Sequence, residues 1–201
     1  MEFYPSFNNP PNYDAQCICW DKLDGQTAVA EISSKKGFHK FGSKKVLIDE
    51  SHPFMGESVG LIKNKYQEDI LKVMKKFRVQ DLTCYFEFFG PNSAFGRHQD
   101  EQHDVVLFDV LIPKQGIIDT RDFLKTFGHL DIPRIIHQGK VNKQLIEQIW
   151  NDEIEGITFE GVVCKTNIRG SNYSFKLKTK KWMDKLREYC SKEDENFEEL
   201  A

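Results

Sequence analysis

Apolar residues recur along this chain with two different periods, and each period predicts one type of element. Between residues 63 and 80 the apolar side chains return every three or four positions, which predicts an amphipathic helix. Shorter runs rich in β-branched and aromatic residues predict strands at 16–20, 27–33, 46–48, 83–89, 105–112, 159–165 and 173–178. Capping residues predict a helix from Asp119 to Phe127 with Gly128 as its stop, and another from Asn142 to Gly156. A last helix is predicted at 180–189.

The order of these elements predicts the fold class. Strands and helices interleave without a regular alternation, which favours an α+β domain of mainly antiparallel sheets flanked by helices. Three segments are predicted to be irregular: an N-terminal arm at 1–15, a loop rich in Lys, Gly and Ser at 34–45, and a loop at 91–104.

The composition is that of a globular protein with a core. The chain has 201 residues, of which 39% are hydrophobic, so one domain of ordinary size is expected. We place this domain at 1–187 and an acidic tail at 188–201. No apolar run is long enough for a signal peptide or a membrane span, so a cytoplasmic location without a membrane partner is expected.

Cysteine usage and charge narrow the picture further. Five cysteines without a Cys-x-x-Cys pair predict free thiols, with Cys17 and Cys19 as core residues on one face of a strand. The formal net charge is −3, but the tail carries much of the negative charge. Basic residues cluster at 35–45 and 176–187, where they form either solvated faces or contacts to a polyanion.

Three stretches carry candidate chemistry. Lys22 begins the tetrad Lys-Leu-Asp-Gly directly after a predicted strand. Alone, this tetrad is typical of a hairpin turn with Asp-Gly as the turn pair, and the alternative is a reactive amine held at a strand end. Glu87 lies in an aromatic strand that is expected to be buried, where a carboxylate needs a partner. Lys176 and Lys178 are expected to share one face of the last strand.

Two more stretches, Lys35-Lys36 and Glu160-Gly161-Val162-Val163-Cys164-Lys165, bring the number to five. Alone, the second of them is typical of a turn into an edge strand. In chain order the five features are Lys22-Leu23-Asp24-Gly25, Lys35-Lys36, Phe86-Glu87-Phe88-Phe89-Gly90, Glu160-Gly161-Val162-Val163-Cys164-Lys165 and Phe175-Lys176-Leu177-Lys178. In order and spacing they resemble the covalent nucleotidyltransferases, which comprise ATP-dependent RNA and DNA ligases and messenger RNA capping enzymes. The third feature and the segment Leu107-Phe108-Asp109-Val110 are most similar to RNA ligases of the nick-sealing kind found in phages and kinetoplastids. The resemblance covers residues 15–180 and implies a nucleotidyltransferase (ATP-grasp-like) domain. Little beyond a helix and the acidic tail follows Lys178, so the C-terminal OB domain of larger relatives is not expected.

The resemblance implies that ATP is the substrate and that Lys22 carries AMP covalently. A lysine attacks only when it is uncharged, and its ordinary pKa is about 10.4. Partial burial and neighbouring cations lower that pKa, and Lys165, Lys176 and Lys178 with a bound metal ion would supply such a field. Lys165 and Lys176 would contact the α-phosphate, and Lys178 would help to orient the triphosphate. Asp24 completes the predicted catalytic set.

The resemblance also implies a divalent metal ion, Mg²⁺ or Mn²⁺. Asp24, Glu87 and Glu160 would hold the ion or its water shell, since Mg²⁺ keeps several waters and takes few protein ligands. Glu87 has a second reading, in which it binds a ribose hydroxyl instead.

The remaining predicted nucleotide contacts are less specific. Phe108 is expected to stack on the adenine or, alternatively, to be a core residue, and Asp21 or the backbone around Trp20 is expected to read the adenine amino group. Gly25 closes the tetrad beside the nucleotide. Lys36 stands where the family usually has an arginine, and a lysine gives a point charge without the bidentate fork.

The predicted function is an ATP-dependent RNA ligase that works in three steps: Lys22 is adenylylated, AMP passes to a 5′-phosphate end, and a 3′-hydroxyl end displaces AMP. The nucleic acid is expected to be RNA rather than DNA, in a bacterial cell or a phage-infected host, and a partner protein could supply additional substrate binding. Alternatives are a minimal DNA ligase, a capping guanylyltransferase, a module that binds nucleotides or nucleic-acid ends without sealing them, and an enzyme that transfers AMP to another target. In the loop at 92–104, Arg97, His98 and His103 either touch nucleic acid or are solvated.

Overall fold

The computed structural model describes residues 1–5, 15–44, 46–91 and 100–193, with the side chains of 192 and 193 left out. The chain divides into two compact units. Unit 1 consists of Met1–Ser6 and Gly25–Ile132, and unit 2 consists of Phe7–Asp24 and Pro133–Ala201. The described strands are β1 (Gln16–Asp21), β2 (Gln26–Ser33), β3 (Gly37–Gly42), β4 (Leu47–Ile48), β5 (Asp81–Phe89), β6 (Asp104–Ile112), β7 (Gly116–Ile117), β8 (Ile135–Lys140), β9 (Gly161–Ile168) and β10 (Ser171–Lys178). The described helices are α1 (Gly56–Phe77), α2 (Thr120–Phe127), α3 (Lys143–Trp150) and α4 (Lys180–Glu193). All described strand pairs are antiparallel, which confirms the predicted α+β class.

Unit 1 is built on a six-stranded sheet in the order β4-β3-β2-β5-β6-β7. Helix α1 buries an apolar stripe that includes Ile62, Tyr66 and Met74. The ring of Tyr66 lies 5.0 Å from that of Phe86, centroid to centroid, so the helix packs on the aromatic residues of β5. The helix begins at Gly56, seven positions before the predicted start, and its buried stripe continues towards that end through Val59 and Ile62.

Two strands of unit 1 were not predicted. The segment 34–45 was expected to be a loop, but it contains β3, which pairs with β2 over Val29–Ser33. Within β3 only Phe38 and Phe41 are buried hydrophobic residues, and both ends of the strand are glycines. Its composition is therefore closer to that of a loop than to that of a strand. The second missed strand, β7, has two residues and no periodic signal. Helix α2 is confirmed with Asp119 as its N-cap, whose side chain accepts a hydrogen bond from Arg121 N.

Unit 2 is built on a four-stranded sheet in the order β10-β9-β1-β8. One face packs under α3 in a core that contains Cys17, Cys19, Cys164, Phe175, Leu177 and Ile149. The prediction that Cys17 and Cys19 are core residues is confirmed, and all five cysteines are free and buried. Helix α3 begins after the N-cap Asn142 as predicted but ends at Trp150, before the expected stop at Gly156.

Strand β8 is not predicted by the sequence pattern, and the last helix is longer than the pattern predicts. Strand β8 lies at the sheet edge, where polar residues are tolerated, so it has no hydrophobic alternation. Helix α4 continues to Glu193, past the expected end at 189 and into the predicted tail. The domain boundary at 187 stays a prediction, and residues 6–14 and 194–201 lie outside the described residues.

The tetrad 22–25 is not a hairpin turn. Strand β1 pairs with β8 and β9, whereas β2 pairs with β3 and β5, so the tetrad connects strands of two different sheets. The hairpin alternative for Lys22 is therefore wrong. Over the described part of the chain, no helix is both long and apolar enough to cross a membrane.

Candidate active site

Three strand ends of unit 2 meet at one point of the backbone. Lys22 N, just past the end of β1, donates a hydrogen bond to Gly161 O at 2.9 Å. Gly161 is also the register partner of Lys178 at the end of β10. Thr179 N donates to Glu160 O at 3.1 Å. The sheet itself therefore brings Lys22, Glu160 and Lys178 together, although they are far apart in the sequence.

Gly161 is required for this convergence. Its φ of +133° is a conformation that residues with a Cβ rarely adopt. A Cβ at this position would run into the carbonyl oxygen of Leu177 and would lie 2.9 Å from Lys178 Cα. The glycine after Glu160 thus allows β10 to approach closely.

The side chains at this point form an ionic triad. Lys22 Nζ lies 2.6 Å from Glu160 Oε2, and Lys178 Nζ donates to Glu160 Oε1. Only 6% of the Glu160 side chain is exposed, against 21% for Lys22 and 11% for Lys178. Burial opposes the charge on Glu160, but Lys22 and Lys178 outweigh it and hold the pKa of this carboxyl below its usual range.

Lys178 has the opposite balance. Burial lowers its pKa most, Glu160 raises it, and the positive charges of Lys22 and Lys176 lower it again, with a resulting pKa of about 8. Lys178 is therefore mostly charged at neutral pH, but a small rise in pH removes its proton. Two ammonium groups share the Glu160 carboxylate, so these three side chains together carry one positive charge.

Further lysines lie on the same face of the sheet as Lys178. Cys164, Phe175 and Leu177 belong to the core under α3, so alternation puts their neighbours Lys165, Lys176 and Lys178 on the opposite face. The three lysines therefore share this face, and Lys165 is itself buried.

Trp20 and Asp24, two further predicted residues, are also buried in unit 2. Trp20 is opposite Val163, which is opposite Lys176, so the tryptophan lies on the lysine face of the sheet. Asp24 follows the end of β1.

Asp21 has a structural task that the sequence did not reveal. Its Oδ1 accepts a hydrogen bond from Thr158 N at 3.0 Å, and its Oδ2 accepts one from the Thr158 hydroxyl. The carboxylate is buried and ties β1 to the segment that leads into Glu160. The predicted contact of Asp21 with an adenine amino group stays a prediction.

The other predicted site residues belong to unit 1. Glu87 is half-buried rather than buried, because alternation turns Phe86 and Phe88 inward and Glu87 to the opposite face of β5. Gly25 lies beside it, where a Cβ would approach Glu87 Cγ to 3.1 Å. Lys36 is exposed in the turn between β2 and β3.

Phe108 lies in an aromatic cluster of unit 1. Its ring centroid is 4.9 Å from that of Tyr4, edge to face, and 6.4 Å from that of Tyr85. The Tyr4 hydroxyl donates to the buried carboxylate of Asp109 at 2.6 Å, so the first residues of the chain are packed against this sheet. Both readings of Phe108, adenine platform and core residue, stay predictions.

The loop at 92–104, whose basic residues either touch nucleic acid or are solvated, is described only in part. Arg97 and His98 lie outside the described residues. His103 Nδ1 lies 2.6 Å from Glu57 Oε2, and its ring is 4.8 Å from that of Phe88. Metal binding by Asp24, Glu87 and Glu160 also stays a prediction, since no three His, Cys, Asp or Glu residues in the described ranges form a group that could hold a metal ion.

Three residues that contact the site were not among the predicted site residues, namely Thr158, Thr179 and Trp182. The ring centroid of Trp182 in α4 lies 3.7 Å from Lys178 Nζ. In the sequence Thr179 directly follows Lys178, and Trp182 lies four positions after that lysine.

The chain shares its fold with an RNA ligase from Naegleria gruberi. A lysine-to-alanine mutant of that ligase with ATP and Mn matches with a TM-score of 0.62 and 14% identity, over 87% of this chain and 52% of the ligase chain. An aspartate-to-alanine mutant without ligand matches with a TM-score of 0.63 and 13% identity, over 92% and 59%. The ligase with pyrophosphate matches with a TM-score of 0.62 and 15% identity, over 88% and 53%. The predicted α+β fold is thereby confirmed as one that this ligase shares, and the chain spans just over half of these solved ligase chains. No protein-family model and no curated protein sequence matches the chain.

Proposed function

We propose that the chain is an ATP-dependent RNA ligase that adenylylates itself on Lys22, passes AMP to a 5′-phosphate end and joins that end to a 3′-hydroxyl. The observation that carries the proposal is the contact of Lys22 with Glu160, which also holds Lys178. These residues come from three of the motifs that suggested the function, and they meet within one unit. The fold shared with an RNA ligase supports the same reading.

In the first step the Lys22 nitrogen attacks the α-phosphorus of ATP. A nitrogen–phosphorus bond forms, the bond from that phosphorus to the bridging oxygen breaks, and pyrophosphate leaves with the electron pair. The ammonium must first lose a proton, which passes to solvent water, since 21% of the Lys22 side chain is exposed. Its contact with Glu160 favours the charged form, whereas the nearby ammonium of Lys178 disfavours it. Because the pKa of Glu160 is held low, this carboxylate is a weak base, and its task is to hold Lys22 in place.

The lysine face of the unit 2 sheet is suited to bind the phosphates. Negative charge grows on the phosphate oxygens as pyrophosphate leaves, and fixed cations stabilise such charge best in a site that excludes water. Lys165, Lys176 and Lys178 share one face, and the triad already has one positive charge in excess. An entering phosphate would compensate that excess.

The residues of unit 2 are suited to bind a magnesium ion. Mg²⁺ is bound through one or two carboxylates together with substrate phosphates and waters, so a single buried carboxylate among phosphate-binding lysines is an adequate donor set. Glu160 would hold the ion, with Asp24 of the same unit as a further ligand that the resemblance implies, and Glu87 is either a third ligand or a partner of a ribose hydroxyl. When bound, Mg²⁺ or Mn²⁺ would add positive charge beside the phosphate oxygens.

Labelled ATP tests the first step. The protein is incubated with radiolabelled ATP or GTP and Mg²⁺ and then run on a denaturing gel. We expect a labelled band with ATP that is absent in Lys22→Ala and in Lys22→Arg, because neither variant has an amine at that place. Lys180→Ala is the matched control, since Lys180 is an exposed lysine that pairs with Asp184, and it should label like the parent.

A second stage tests the substrate. The adenylylated protein receives nicked duplexes that differ only in the sugar of the 3′-hydroxyl strand, and we expect sealing where that strand is RNA, because the 2′-hydroxyl is the handle for such discrimination. Sealing of an all-DNA nick alone would replace the RNA assignment by the DNA ligase alternative. Labelling without any sealing would favour the end-binding module or transfer of AMP to another target, and no labelling with either nucleotide would overturn the proposal.

A further inference from the structure

Helix α4 presents an aromatic ring to one lysine of the ionic triad. Lys178 Nζ lies 3.7 Å from the ring centroid of Trp182, well within the range of a cation–π contact. Trp182 is 4% exposed, so the contact is largely shielded from water. Lys178 is thus held on one side by Glu160 and on another by an indole ring.

The place of this ring is fixed relative to Glu160 by Thr179. The buried Thr179 hydroxyl donates to Phe159 O at 2.7 Å, and Thr179 N donates to Glu160 O. Trp182 N in turn donates to the Thr179 hydroxyl oxygen at 3.2 Å. The first turn of α4 is therefore tied to the two residues that precede β9, and it cannot shift without moving Glu160.

An aromatic ring and a second carboxylate would have different consequences for Lys178. A second carboxylate would neutralise the excess positive charge of the triad, and the site would lose its attraction for an anion. The face of an indole stabilises an ammonium by its quadrupole while it leaves the charge in place. A ring is therefore a suitable support for a lysine whose charge is needed by a substrate.

We propose that Trp182 is a positioning residue, which holds the Lys178 ammonium towards the lysine face of the sheet so that it can meet the phosphates of ATP. The inference rests on the proposed function for its role in catalysis, but the contact itself can be tested without activity. A purely structural role for Trp182 would consist of filling the space under α4, as Leu186 does on the same helix at 1% exposure.

The catalytic test compares ring-retaining with ring-removing variants under single turnover with ATP. We expect Trp182→Phe to keep the adenylylation rate within about threefold and Trp182→Leu to lose about tenfold at saturating ATP, since a desolvated cation–π contact corresponds to roughly that factor. The loss should fall on the rate constant rather than on the KM for ATP, because Lys178 acts on charge that grows as pyrophosphate leaves. Trp182→Met replaces the leucine variant if that one does not fold.

Leu186→Ala is the control for lost packing. It removes buried apolar volume from α4 but leaves the ring on Lys178, so it should lower thermal stability and keep the adenylylation rate of the folded protein. Equal rates in Trp182→Leu and the parent would overturn the proposal, as would a loss in Leu186→Ala as large as that in Trp182→Leu.

The activity-independent test uses NMR of the protein with ¹³C at the lysine ε-carbons and no nucleotide. An ammonium over an indole face places its ε-protons in the ring current, so the Lys178 signal, identified by its absence in Lys178→Met, should lie upfield of the other lysines. It should return to the common position in Trp182→Leu and stay upfield in Leu186→Ala. An unshifted Lys178 signal in the parent overturns the inference whatever the activity. A shifted signal in a protein that is not labelled by ATP would refute the proposed function and leave the positioning of Lys178 standing.

Discussion

Lys178 is the residue at which the site departs furthest from what stability alone would favour. It places a second ammonium on a carboxylate that already has Lys22 as a partner, in a side chain that is 11% exposed. Replacing a buried charge by an apolar group of similar volume is often neutral or stabilising when no opposite charge is left alone. If Lys178 were replaced, Glu160 would still be paired with Lys22. We therefore attribute the destabilisation caused by burying Lys178 to a functional requirement and not to a requirement of the fold.

We expect Lys178→Met to stabilise the folded protein by about 1–3 kcal/mol at pH 7 while it abolishes most adenylylation. The pKa of Lys178 is about 8 in the folded protein, below its ordinary value of 10.5, so the unfolded chain binds this proton more tightly. This penalty on the parent is fully present below pH 8 and disappears as the pH rises from 8 towards 10.5. The advantage of Lys178→Met should therefore shrink over that interval.

Urea denaturation at pH 7 and pH 10 measures the effect. Lys180→Met is the matched control, since Lys180 is exposed and its replacement should give a small difference that is the same at both pH values. A Lys178→Met protein that is less stable than the parent at pH 7 would show that the lysine contributes net stability and that our account of its burial is wrong.

Elements with a strong hydrophobic period could be predicted from the sequence, and elements defined by their partners could not. The aromatic run of β5 and the periodic stripe of α1 carry their own signal, and both were found. Strands β3 and β8 are recognisable only by the strands they pair with, because their sequences are polar and contain glycine. The start of α1 is a different case, because Val59 and Ile62 continue the period of the helix and a start before residue 63 could have been predicted from them.

The residues of the candidate site likewise divide into those that could be predicted from the sequence and those that could not. The motifs of Lys22, Glu160 and Lys178 could be picked out in the sequence because their order is characteristic, and the structure brings these three residues together. Thr158, which supports the site, carries no pattern, since a hydrogen bond between Asp21 and a threonine 137 positions away leaves no trace in the local sequence.

The link between β1 and the segment before β9 gives a test of Asp21. We expect Asp21→Asn to lower the free energy of unfolding by about 1–3 kcal/mol, because hydrogen bonds to a charged group are strong and the site is buried. Adenylylation should fall with it, because Glu160 would be less well placed. Thr158→Val removes the hydroxyl partner but leaves the carboxylate, and it should reproduce part of both losses.

If Asp21 instead contacts the adenine amino group, the same variants should behave differently. In that case Asp21→Asn would relax the preference for ATP over GTP with little change in stability, and Thr158→Val would leave nucleotide preference and rate as in the parent. Urea denaturation together with labelling by both nucleotides separates the two roles.

On the scale of the whole molecule, the predicted residues are divided between the two units. Unit 2 holds Lys22 and its ionic partners, while unit 1 holds Glu87, Phe108 and Lys36. The fold is shared with a known ligase at 13–15% identity, which is too low for the roles of individual residues to be carried over. Each residue of unit 1 therefore needs a test of its own, and Glu87 is the most informative because it has two competing roles.

We expect Glu87 to bind a ribose hydroxyl, because a half-buried carboxylate can accept a strong, charge-assisted hydrogen bond from such a group. Glu87→Gln keeps the size of the side chain but weakens a charge-assisted hydrogen bond, which should raise the KM for ATP about tenfold. The variant and the parent should then differ little with 2′-deoxy-ATP or 3′-deoxy-ATP, whichever analogue lacks the hydroxyl that Glu87 binds. Asp81→Asn, an exposed carboxylate on the same strand, is the control and should behave like the parent. If Glu87 is instead a metal ligand, Glu87→Gln will slow adenylylation equally with ATP and both analogues, and raising the Mg²⁺ concentration will recover part of the rate.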